Sequence, residues 1–122
     1  PQLAGTEYSY EPANAENGRY WTTSYPSVAL LPMAALVQLV AGLDVSQARL
    51  PALFWFSDND RVVRADITRK IADRWGGPTT IQTVTMGPDD DPSSHVIAGD
   101  ILSPGQTDAA AAGMISWISG LK

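Results

Sequence analysis

The sequence predicts an α/β fold: strands of a parallel sheet, flanked by helices. Three observations carry this expectation. Residues 51–56 (PALFWF) are a short, continuous apolar run, the pattern of a strand covered on both faces. Residues 80–86 (TIQTVTM) are a second strand-like run, rich in β-branched side chains. Between them, residues 65–75 place Ile67, Ile71 and Trp75 at helical spacing. A strand, a helix and a strand with this connection length imply a parallel, right-handed crossover. The chain of 122 residues is 44% hydrophobic and 17% charged, which is a globular composition.

Residues 1–27 read as an irregular, lid-like segment. Pro1, Gly5, Pro12, Asn14, Asn17, Gly18 and Pro26 punctuate it, and no period is sustained. Tyr8, Tyr10, Tyr20 and Trp21 give it material for packing, which a plain linker would not need. Tyr20, Trp21 and Tyr25 are candidates either for core packing or for lining an apolar acyl pocket. Pro1 does not resemble a native start, and the expectation is a piece of a longer protein. Nothing in the segment indicates a localisation.

The remaining residues, 28–122, read as the main body. Residues 28–41 (VALLPMAALVQLVA) predict a helix apolar on all sides except at Gln38. Pro32 suits its first turn and Gly42 its end. Fourteen residues are too few for a membrane span. The helix is either a core element or a lid or oligomer contact. SDNDRVV then forms a turn after the PALFWF strand, and Gly76-Gly77 stop the next helix. GPDDDPSSH is a loop. Residues 107–121 predict a last helix with Met114, Ile115, Ile118 and Leu121 on one face, capped by Thr107 or Asp108. Two strands are few for a parallel sheet, so PALFWF calls for a further partner strand. That partner is either a missing N-terminal half or a second copy joined as a homo-oligomer through the exposed strand edge.

Charge and composition exclude several classes. Eight basic and thirteen acidic residues give a net charge of −5, with no basic face for nucleic acid or an anionic membrane. There is no cysteine, hence no disulfide, thiol nucleophile or cysteine-ligated metal. A single histidine excludes a His-rich metal site. Asp89, Asp90 and Asp91, between Pro88 and Pro92, read as a solvated loop, with a hard-cation site as the sharper alternative.

The candidate chemistry lies at Asp60 and His95. In a parallel sheet, functional groups gather in the loops that follow the strands. Asp60 lies four residues past Phe56, and His95 follows the second strand. An Asp that accepts from one imidazole nitrogen fixes the tautomer, leaving the other nitrogen as a general base. Asp58 is the rival acid, and the spacing to Val62 and Val63 favours Asp60.

Three segments together carry a family resemblance. PALFWFSDNDRVV resembles the α/β-hydrolase segment that supplies the catalytic acid, and SSHVIAGDILSP the segment that supplies the histidine. RYWTTSYPSVALLPMAALVQLV resembles the region ahead of the acid strand in esterase and lysophospholipase-like members. The resemblance covers residues 15–122 and implies the C-terminal portion of a serine hydrolase, with Asp60 as the acid and His95 as the base. It implies a small-molecule ester substrate in the parent protein and no metal or organic cofactor. The family's G-x-S-x-G nucleophile elbow does not occur in these residues. Ser93 and Ser94 adjoin His95 without an elbow, and Ser116 has the wrong spacing. The isolated chain is therefore expected to be inactive. The alternative is a non-catalytic α/β interaction or assembly module.

Overall fold

The computed structural model describes residues 5–121 and divides into two compact units between Asp44 and Val45. That division falls after the apolar helix, whereas the sequence reading places it before.

In the first unit, the segment read as irregular contains regular structure. Strands β1 (Glu7–Ser9) and β2 (Ser24–Pro26) pair antiparallel, with Tyr8 opposite Tyr25. The Tyr8 ring lies 5.3 Å from that of Tyr25 and 6.5 Å from that of Tyr10. Between the strands, helix α1 (Ala15–Tyr20) starts at Asn14, whose side chain accepts the Asn17 N–H at 2.8 Å. Strands of three residues are too short to display an alternating pattern, so their sequence shows only the turn residues around them. Tyr20 and Trp21 are exposed rather than part of a core.

Helix α2 (Leu30–Ala41) follows a single 3₁₀ turn, with Pro32 in its first turn and Gly42 at its end. No residue of α2 is buried, and Leu31, Met33, Leu36, Val37, Leu39 and Val40 are all more than half exposed. The core-helix expectation is not met among the described residues.

The second unit is a small parallel sheet flanked by helices. Strands β3 (Ala52–Phe56) and β4 (Thr79–Thr83) pair parallel, from Ala52 opposite Thr79 to Phe56 opposite Thr83. Helix α3 (Ala65–Arg74) connects them. Side chains alternate along β3, and each face takes a different helix. On one face, the Trp75 ring at the end of α3 meets Phe54 edge-on at 6.0 Å, and the Arg69 guanidinium lies 5.2 Å from the Phe56 ring centre. On the other face, Trp55 lies against helix α4 (Thr107–Ser119), where Trp117 Nε1 donates to Thr80 Oγ1 at 3.0 Å. Among the described residues β3 has one strand neighbour, and its opposite edge is open.

Two close approaches require glycine. A Cβ on Gly76 would lie 1.9 Å from the Ser46 carbonyl oxygen, and one on Gly77 2.5 Å from that of Leu50. This pair lets the chain entering β3 cross the end of α3, beyond the helix-stopping role expected of it. Helix α4 also starts differently from expectation. A 3₁₀ turn, Pro104–Gln106, leads into it, and Gln106 occupies the cap position without a side-chain bond to the helix's own N–H groups. Thr107 Oγ1 instead accepts the Gly99 N–H at 3.1 Å, tying the preceding loop to the helix.

Gly113 is the notch that admits Trp55. A Cβ there would lie 2.2 Å from the indole Cη2. Gly113→Ala should therefore destabilise the chain by about 1–3 kcal/mol through overpacking, outweighing alanine's better helix propensity. Urea unfolding measures this. An alanine variant as stable as the parent would refute the close packing of α4 on β3.

Candidate active site

The site begins where β3 and β4 end. After Phe56 the chain turns at Ser57, which is fully buried. The Ser57 carbonyl accepts the Asp60 N–H at 3.2 Å, and its hydroxyl accepts the Asn59 N–H at 3.3 Å. This turn directs the Asp60 carboxylate inward, leaving its side chain only 8% exposed. Asp60 Oδ1 accepts the N–H groups of Val62 and Val63, each at 2.8 Å. Asp60 Oδ2 lies 2.9 Å from His95 Nδ1.

The two candidate residues, 35 positions apart, are thus in direct contact. Since a carboxylate only accepts, the bond assigns the proton to Nδ1 when the ring is neutral. Burial pushes the Asp60 pKa up, but the His95 bond and the Val63 and Val62 N–H groups outweigh it and hold the acid below the ordinary carboxylate range. Asp60 therefore remains an anion beside the imidazole. The His95 side chain is 40% exposed, and no described residue bonds its Nε2.

The rival acid is engaged elsewhere. Both oxygens of Asp58 accept from Arg69 Nη2 at 2.7 Å, a contact that fastens the turn to α3. The two site loops are also joined through the backbone, the Arg61 N–H donating to the Ser93 carbonyl at 2.9 Å.

In the acidic run before His95, Asp89 is exposed as the solvated-loop reading expects, but Asp90 and Asp91 are not. Asp90 is buried and accepts from the Gly87 N–H at 2.7 Å, the Gly105 N–H at 2.9 Å and Gln106 Nε2 at 2.8 Å. Asp91 Oδ1 accepts the Ser93 N–H at 2.9 Å. Its Oδ2 accepts the Ser93 hydroxyl at 2.6 Å and the N–H groups of His95 and Val96 at 3.0 and 2.9 Å. The fully buried Ser103 hydroxyl accepts the Asp91 N–H at 3.1 Å and donates to the Val96 carbonyl. Ser94 takes a left-handed conformation at φ 56°. The sequence reading took Asp90 and Asp91 for solvated or cation-binding carboxylates and did not single out Ser103. Asp-Pro-Ser is nonetheless a turn-forming combination in which an Asp side chain bonds the backbone two residues on. Among the described residues, no group of His, Asp or Glu side chains could hold a metal ion.

The arrangement can hold a neutral imidazole by one nitrogen and offer the other as a proton acceptor. Ser93 and Ser103 commit their hydroxyl protons to Asp91 and Val96, and no described serine bonds Nε2. No family model, curated protein or solved structure matches the chain significantly.

The carboxylates also set an acid response. Burial raises the Asp91 pKa, but the Ser93 hydroxyl and the N–H groups of Val96, Ser93 and His95 bring it from 3.8 down to about 2. Asp90 is lowered by Gln106 and by the Gly87 and Gly105 N–H groups. A carboxylate that ionises more easily folded than unfolded adds stability above its unfolded pKa and loses it as pH falls through the folded value. The urea midpoint should therefore fall steeply between about pH 4 and about pH 2. Asp91→Asn should be less stable at neutral pH and show a shallower fall across that window. Equal slopes would sink this assignment.

Proposed function

We propose that these residues are the acid and histidine portion of an α/β-hydrolase. The whole protein would cleave a carboxylic ester or a related acyl bond. The observation that carries this reading is the 2.9 Å contact between Asp60 and His95, formed by loops leaving the same ends of two paired parallel strands. The resemblance of both segments to the family's acid and histidine segments supports it. The nucleophile belongs to a part of the protein outside these residues, since they contain no G-x-S-x-G.

The proton route follows from the geometry. A serine hydroxyl at Nε2 loses its proton to His95 as the oxygen attacks the substrate carbonyl. The imidazolium then holds two N–H groups, and Asp60, kept anionic by Val62 and Val63, stabilises the one at Nδ1. Collapse of the tetrahedral intermediate takes the Nε2 proton to the departing alcohol. A water molecule, deprotonated by the same nitrogen, then attacks the acyl-serine carbonyl, and the proton passes from Nε2 to the serine oxygen as the carboxylic acid leaves. Asp60 accepts no proton in this cycle; it keeps Nε2 a base before attack and favours the cation after it.

The test is hydrolysis of p-nitrophenyl esters by the product of the complete reading frame. His95→Ala should lower kcat about 10⁶-fold, and Asp60→Asn about 10⁴-fold, the latter through the wrong tautomer. Activity retained in His95→Ala would overturn the proposal. The 122-residue chain alone should hydrolyse the ester no faster than buffer. If the whole protein is inactive and the chain forms a defined dimer through the open β3 edge, the assembly-module reading takes its place.

A further inference from the structure

We propose that Asp91 is the positioning residue for His95, closing the histidine loop around its own backbone and side chain so that Nδ1 meets Asp60. The inference rests on the Asp60–His95 site described above. Four consecutive backbone N–H groups end on this one residue. Ser93 N–H goes to Oδ1, Ser94 N–H to the Asp91 carbonyl at 2.9 Å, and His95 and Val96 N–H to Oδ2. Converging N–H groups form an anion-binding concavity, and here the anion is supplied from within the loop. Residues 93–96 lie outside any helix or strand, so no ladder would otherwise order them.

The closure has two consequences for the ring. It holds Ser94 at a positive φ, a conformation that most side chains avoid and that fixes the direction in which His95 leaves the loop. It also fixes the Ser93 carbonyl, to which Arg61 beside Asp60 is bonded. Asp91 thus positions the histidine loop against the acid loop without touching the imidazole. Its neighbour Asp90 makes a comparable number of bonds, but to Gly87, Gly105 and Gln106, none of them in the 93–96 loop. The adjacent carboxylates therefore separate positioning from general stabilisation.

The chain has one histidine, so its imidazole resonances are read without overlap. The experiment is ¹⁵N–¹H NMR of the untagged chain at about pH 8, where imidazole is ordinarily neutral. The readouts are the tautomer pattern and the low-field Nδ1 proton, with far-UV circular dichroism as a check on folding. The parent should show the Nδ1–H form, and Asp60→Asn should abolish the low-field proton. Asp91→Asn should also lose that proton and mix the two tautomers, with Ser93→Ala intermediate as the milder variant. Asp90→Asn should lower the urea midpoint yet keep the parent signature. In the complete protein, Asp91→Asn should lower kcat about 10- to 100-fold with KM unchanged, the loss expected of a misplaced base. A parent-like signature in Asp91→Asn would overturn the inference, as would equal loss in Asp90→Asn. A parent without the Nδ1–H form would instead remove the Asp60–His95 pair and, with it, the proposed function.

Discussion

The parallel pairing of β3 with β4 decides where the site can be. Phe56 lies opposite Thr83, so both strands finish at the same level, and both following loops leave the sheet at one edge. A shift of one position in this register would reverse the face presented by each β4 side chain and misplace Thr80 beneath Trp117. The Trp55 ring in the Gly113 notch on one face and the Trp75–Phe54 contact on the other resist such a shift. Asp60 and His95 are brought together by a sheet whose packing residues take no part in the chemistry.

Much of this second unit was legible because its signals are local. An apolar run, an amphipathic helix and a β-branched run place β3, α3 and β4 within a few residues of their observed limits. Strand order then places Asp60 and His95 at one edge, and in the structure they are in contact. What escaped reading depends on partners distant in sequence. Gly76 and Gly77 matter because the 46–50 backbone lies against them, and Asp90 because Gly105 and Gln106 return to it. A run of three aspartates looks the same in sequence whether water or backbone N–H groups surround it. The three-residue strands of the first unit were hidden for a different reason: they are shorter than any periodic signal.

Helix α2 shows the opposite relation between signal and outcome. Its boundaries and its Pro32 and Gly42 positions were readable, yet its apolar side chains remain exposed in the described structure. Local propensity and capping set where a helix begins and ends, while burial depends on what is available to pack against it.

Four aspartates within 34 positions show how surroundings, rather than residue type, assign a role. Asp58 meets a guanidinium and serves as a clamp between the turn and α3. Asp90 and Asp91 meet neutral donors and organise backbone. Asp60 divides its two oxygens. Oδ1 is held by the Val62 and Val63 N–H groups, leaving Oδ2 directed at the imidazole. Had a guanidinium been the partner, its fixed charge would have competed with an imidazolium for the same carboxylate. Backbone N–H groups orient and ionise the acid without adding a full positive charge, so the attraction available to a protonated His95 is preserved. A carboxylate held in this way can stabilise a charge that comes and goes on its neighbour, which is the property that distinguishes Asp60 from Asp58.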